Sequence, residues 1–114
     1  MDSNNLPLLK GTLDLLILKT LSWGTMHGFA IARWLEERSE GEVEVEDSAL
    51  YQALHRLEER ELVTAEWGLT ENNRKARYYR LTALGRSRLR ADADMWKRYA
   101  RVVGRILAVA PRTA

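Results

Sequence analysis

The stretch DSALYQALHRLEERELV, residues 47–63, decides how the chain folds. Its apolar residues Leu50, Ala53, Leu54 and Leu57 recur at i, i+3, i+4 and i+7, the spacing of one face of an α-helix. At about 100° per residue, Ser48, Gln52 and His55 gather opposite Leu50, with Arg56 and Glu59 beside them and Tyr51 on the flank. One side therefore suits a protein core. The other offers short polar groups and one arginine, side chains that can reach base edges in a DNA major groove. Taken alone, the pattern also fits an ordinary amphipathic surface helix. The residues that follow decide between the two.

After Leu62 the helical period gives way to alternation. Val63, Ala65 and Trp67 alternate with Thr64 and Glu66, as along a strand. Residues 68–75, GLTENNRK, are rich in turn formers and end basic. Residues 77–82, RYYRLT, form the returning strand. Tyr78 and Tyr79 point to opposite faces of it, and Tyr79 shares the parity of Leu81, which predicts it as core. A polar-faced helix, a strand, a basic loop and a second strand compose a winged helix-turn-helix. In such a unit the helix reads bases and the hairpin lies on the backbone or in the minor groove.

Two stretches, LYQALHRLEERELV and RKARYYRLTALGRSRL, resemble the PadR family of bacterial transcriptional regulators. The segment GTLDLLILKTLSWGTMHGFAIARWLEE is similar to that family's opening helices, including a His-Gly-aromatic step at His27, Gly28 and Phe29. The likeness covers roughly residues 10–107. It implies a homodimeric regulator, most simply a repressor acting by occlusion, whose partner is double-stranded DNA. The implied contacts are Ser48, Tyr51, Gln52, His55 and Arg56 on the helix, and Asn73, Arg74, Lys75 and Arg77 on the wing. A tyrosine at the Tyr51 step recurs in the family and is a phosphate contact by resemblance; its bland alternative is a packed ring with a wet hydroxyl. The family usually has glycine where this chain has Glu61, and often proline at or beside the helix start at Asp47. A non-glycine residue in the left-handed region at Glu61 costs about 1 kcal/mol.

Charge is distributed unevenly, although the net charge is only +2. Glu36, Glu37, Glu40, Glu42, Glu44, Glu46 and Asp47 crowd one stretch. Residues 72–91 contain no acid, while Arg74, Lys75, Arg77, Arg80, Arg86, Arg88 and Arg90 are basic. A basic run is often only a solvated face; beside a hairpin loop it suits a polyanion. There is no cysteine, which excludes disulfides, thiolate catalysis and cysteine-ligated metal. His27 and His55 share no metal-binding motif, and neither a metal nor a cofactor is expected. No phosphate loop, nucleophile elbow or convincing acid pair points to an enzyme. The apolar run at residues 13–18 is far shorter than the roughly 20 residues that span a bilayer. The first ten residues do not resemble a secretory signal, so the expected location is the cytoplasm.

The expected architecture is mainly α with a small β-hairpin wing, an α+β fold. Residues 1–9 form an arm, 10–82 the winged helix-turn-helix, 83–110 a C-terminal dimerisation helix and 111–114 a tail. The first helix, residues 12–22, is apolar nearly all round, which suggests that a second subunit covers part of it. The second helix spans residues 27–39, with His27 in a capping or packing role. The strictly alternating 42–46 stretch, EVEVE, predicts a short strand that pairs with the wing, and Asp47 or Ser48 caps the helix after it. Thr82 caps the last helix, on which Leu89, Trp96 and Val103, with Tyr99 and Ile106, form a heptad seam interrupted at Asp92. Trp96 has two readings: a dimer anchor, or, by resemblance, a wall of an intersubunit cavity for a small, flat, apolar effector. A different class of function, a winged-helix protein-interaction module without DNA binding, is the alternative to the DNA reading.

Overall fold

The computed structural model describes residues 6–9 and 11–112. In chain order they form α1 (Thr12–Leu21), β1 (Met26–His27), α2 (Gly28–Arg38), α3 (Asp47–Glu59), β2 (Val63–Leu69), β3 (Lys75–Leu81) and α4 (Ala83–Leu107). The strands make one antiparallel sheet in the order β1-β3-β2. The α+β winged-helix expectation holds.

Three helices and the base of the hairpin enclose the core. Ile17, Leu18 and Leu21 come from α1, Ile31 and Leu35 from α2, and Leu50, Ala53, Leu54 and Leu57 from α3. Leu62, Val63, Tyr79 and Leu81 close it from the hairpin. Each fully buried leucine, isoleucine or valine stabilises the fold by about 1.5–3 kcal/mol. Tyr79 is buried, as its alternation with Leu81 predicts.

Two side chains fix helix starts. His27 precedes α2, and its Nδ1 accepts from the Ala30 backbone N–H at 3.2 Å, which makes it the cap rather than the first helical residue. Thr82 Oγ1 accepts from the Gly85 N–H at 2.9 Å and donates to the Glu61 carbonyl at 2.8 Å. The same hydroxyl thus starts α4 and ties it to the turn after α3. Glu61 itself has φ 62°, the left-handed conformation expected there.

Several boundaries differ from expectation. Residues 42–46 are not a strand; the third strand is β1, paired through Met26 with Tyr79 and His27 with Tyr78. Val43 and Val45 pack against the core, so the alternation marks a half-buried extended segment. Its backbone bonds go elsewhere: the Glu42 carbonyl accepts from Leu6 N–H at 2.9 Å, and the Val43 N–H donates to Ser39 Oγ at 2.9 Å. The residue before α3 is Glu46, whose side chain makes no capping bond, so neither Asp47 nor Ser48 is the cap. Asp47 opens the first turn, where a negative charge favours the positive end of the helix. The strands run further than expected and leave only residues 70–74 as the turn. The last helix stops at Leu107, which leaves Ala110 outside it. Most of the expected arm, residues 1–5, and the end of the tail lie outside the described residues.

Candidate nucleic-acid interface

Viewed down its axis, α3 has four sides. Leu50, Ala53, Leu54 and Leu57 are buried in the core. Next to them, Tyr51 and Glu58, seven residues apart and so nearly eclipsed, face β3. Ser48, Gln52, His55 and Glu59 point away from the core and are exposed. The fourth side carries Arg56 toward α1. An exposed row of hydroxyl, amide and imidazole groups, held rigid by a packed opposite face, is able to hydrogen-bond base edges.

The members of the expected site are not equally free. His55 Nε2 lies 3.3 Å from Glu59 Oε2 one turn on, with both side chains largely exposed. Arg56 is turned to α1, where Nη2 donates to Asp14 Oδ1 at 2.8 Å. That bond holds the guanidinium pKa above its ordinary value. Arg77, expected on a phosphate, instead grips Glu58: Nη1 donates to Oε1 at 3.1 Å and Nη2 to Oε2 at 3.0 Å. Its Nε is buried without a hydrogen-bond partner among the described residues, and its Cζ lies 6.0 Å from the Trp67 ring centroid. Neither Asp14 nor Glu58 stood out in the sequence, because each pairs across a long separation in the chain.

The wing turn is built by Thr70. Its N–H donates to the Arg74 carbonyl at 2.9 Å, its carbonyl accepts from Asn73 at 2.9 Å, and its Oγ1 accepts from the Arg74 N–H at 3.2 Å. Asn73 takes φ 64°, a conformation its short amide tolerates, so it serves the turn first. Arg74 and Lys75 are exposed beside it. Tyr78 stiffens the hairpin: its ring lies across Gly68 and its hydroxyl donates to the Leu69 carbonyl at 2.9 Å.

Between the start of α2 and the wing, with Tyr51 as its contribution from α3, runs an open cleft of about 950 Å³. Phe29 and Tyr51 line it together with Trp67, Arg74, Lys75 and Arg77 of the hairpin. The Tyr51 ring lies so close to Gly28 that a side chain at that position would meet it. The first residues of α2, Tyr51 and two wing cations therefore line one channel.

On α4, Thr82 to Leu89 stay with their own head: Gly85 is buried and Leu89 packs on the core. Beyond Ala93 the helix is almost wholly exposed. Trp96, Tyr99, Val103 and Ile106 lie on this part, joined by Met95 and Val102, which the heptad spacing left out. The molecule extends 65 Å along its long axis against 36 and 20 Å across.

A model of the transcriptional regulator PadR-like family matches residues 17–91, about two thirds of the chain. The chain belongs to this family. A PadR family transcription regulator from Clostridium difficile is 27% identical, with a TM-score of 0.75 over 86% of this chain and 100% of its own. A PadR family transcriptional regulator from Eggerthella lenta is 29% identical, with a TM-score of 0.76 over 89% of this chain and 86% of its own. A transcriptional regulator from Clostridium thermocellum, at 24% identity, shares the fold with a TM-score of 0.77 over 84% of this chain and 93% of its own. PadR-family membership makes DNA-binding regulation of transcription the class of function. No helix among the described residues is long and apolar enough to cross a membrane.

Proposed function

We propose that this PadR-family protein is a homodimeric repressor that binds a pseudo-palindromic DNA site. In this reading Ser48, Gln52 and His55 read base edges in the major groove. One DNA strand lies in the cleft, its phosphates meeting Tyr51 and the first turn of α2 on one side and Arg74 and Lys75 on the other. The carrying observation is that cleft, lined by Tyr51 of α3 and by the exposed wing cations Arg74 and Lys75, while Ser48, Gln52 and His55 stand exposed on the same helix as Tyr51. Two copies joined along the exposed half of α4 would present two such helices to half-sites related by a two-fold axis. In this reading repression is by occlusion: a dimer seated on its site leaves no room for a second protein there.

The test is a titration of duplexes recovered by binding selection from a random-sequence library, against scrambled duplexes of equal composition, at several salt concentrations. Preference that persists as salt rises is the expected result. Equal, salt-sensitive binding to both leaves only a basic surface and defeats the proposal. Replacing Arg74 and Lys75 with alanine should weaken binding to every duplex and flatten the salt dependence by up to about two phosphate contacts.

A further inference from the structure

The Arg77–Glu58 ion pair joins the helix that reads bases to the strand that carries the wing. We propose that Glu58 and Arg77 are positioning residues. Their forked pair fixes the angle of the wing to α3, and so the discrimination among DNA sequences, while Arg77 itself touches no phosphate. The inference rests on the DNA-binding reading above.

Three observations carry it. First, the pair is bidentate, at 3.1 and 3.0 Å. Two parallel bonds between planar groups fix orientation as well as distance, which one point contact does not. Second, Arg77 is held from other sides too, by burial of its Nε and by the Trp67 ring on the neighbouring strand. Arg77 borders the cleft and 38% of its side chain is exposed, but with both Nη atoms committed to Glu58 it reaches a phosphate only by giving up the fork. Third, the pair stands where the core ends. Along the inner face of the hairpin, Val63 with Leu81 and Ala65 with Tyr79 are cross-strand pairs packed in or against the core. The next pair outward is Trp67 with Arg77, then Leu69 with Lys75, and Trp67, Leu69 and Lys75 are exposed. Beyond Tyr79 the hairpin overhangs the recognition helix, and the Arg77 fork is its tether. Without that tether the outer half of the hairpin can pivot about the Ala65–Tyr79 pair. The wing would still meet phosphates, but no longer in a fixed register with Ser48, Gln52 and His55. Register is what turns backbone contacts into sequence preference.

The experiment compares the full-length protein with E58Q, R77M, R77K and the E58Q/R77M double variant. The probes are a duplex selected by the wild type from a random library and a scrambled duplex. Thermal melts establish that each variant is folded, and hydrogen exchange follows residues 63–81. A positioning role predicts that E58Q and R77M each weaken the selected duplex at least about tenfold, as loss of a base contact would. Affinity for the scrambled duplex should stay within about twofold, because phosphate contacts are untouched. The salt slope of R77M should match the wild type, and amides of the outer hairpin should exchange faster in both. The double variant should be no worse than either single one, and R77K, which keeps the charge but loses the fork, should not restore discrimination. Arg77 as a phosphate contact gives a different pattern: R77M weakens both duplexes alike with a slope shallower by about one, and E58Q strengthens binding. That pattern overturns the proposal, as does full discrimination in E58Q or R77K. A wild type that selects no duplex overturns the DNA-binding reading and this inference with it; a selective wild type with selective variants overturns this inference alone.

Discussion

Tyr51 rests on Gly28: a Cβ built on the glycine would stand 2.7 Å from the tyrosine Cζ and 2.9 Å from Cε1. Glycine here is a matter of space, since it brings the recognition helix close enough to α2 for the Tyr51 hydroxyl to lie at that helix's first turn. Gly28→Ala should therefore act on binding more than on stability. Alanine gains up to about 1 kcal/mol of helix propensity, which offsets part of the repacking. The ring, being the mobile end of a side chain, yields first. DNA affinity should fall by about 1.5–3 kcal/mol, the range for a hydrogen bond to a charged group. Tyr51→Ala should lose a similar amount, and the double variant no more than either. Additive losses would show that Gly28 acts through something other than Tyr51.

Gly85 is a different kind of glycine. A Cβ there would collide with the Leu62 carbonyl oxygen and lie 3.0 Å from its carbon and 3.1 Å from Leu81 Cδ2. That carbonyl already accepts the Thr82 N–H at 3.1 Å, so backbone would have to move. Gly85→Ala should destabilise the protein by about 3 kcal/mol, at the upper end of overpacking. Urea unfolding checks this as a lower midpoint with an unchanged slope. A near-neutral result would mean that α4 can shift on its head.

The local periodicities were legible in the sequence, and the long-range pairings were not. The core face of α3, the burial of Tyr79 and the Thr82 cap each follow from residues within a turn or a strand of one another. Arg56 with Asp14 and Arg77 with Glu58 are 42 and 19 residues apart, and a count of basic residues cannot tell a paired arginine from a free one. Both arginines therefore looked like DNA ligands. Residues 42–46 mimic a strand because an extended segment with one buried side alternates whether or not its backbone joins a ladder. The strand that does join, Met26–His27, is too short to show any period.

Arg56 offers a way to add a contact rather than remove one. Asp14 turns it toward α1, and on the helix it lies about 40° round from Gln52. Asp14→Asn should release it toward DNA. The salt slope should steepen by about 0.9, the value of one additional phosphate neutralised. Stability should change by less than about 1 kcal/mol, since the Arg56 side chain is 46% exposed and solvent screens the pair. An unchanged slope would place Arg56 out of reach of the backbone.

Tyr79 sets an alkaline limit. Burial pushes its phenol above the ordinary value of 10.0, against the lowering influence of Arg77. The folded state thus holds this proton more tightly than the unfolded chain. The associated stability is fully present below pH 10, and it is lost as pH rises through the folded value. Melting temperature should fall from about pH 10 upward, and Tyr79→Phe should remove part of that fall while leaving stability at pH 7 nearly unchanged. If the phenylalanine variant shows the same alkaline loss, another group is responsible.

The exposed half of α4 makes the strongest demand for a second copy. Met95, Tyr99 and Ile106 are each more than 60% exposed on a helix whose start is anchored by Gly85 and Leu89. Covering a large apolar side chain is worth about 1.5–3 kcal/mol, so a seam of several such residues can hold two chains together. A glutamate in that seam would be buried without a partner, at a cost that exceeds the lost apolar contact. Tyr99→Glu with Ile106→Glu should therefore convert a dimer to a monomer in sedimentation while the head keeps its own core. The monomer should bind a single half-site as the wild-type head does, but lose the gain that comes from linking two of them, on the order of a hundredfold or more. A double-glutamate protein that still sediments as a dimer would move the interface elsewhere, with α1, six of whose ten residues are leucine or isoleucine, the next surface to test.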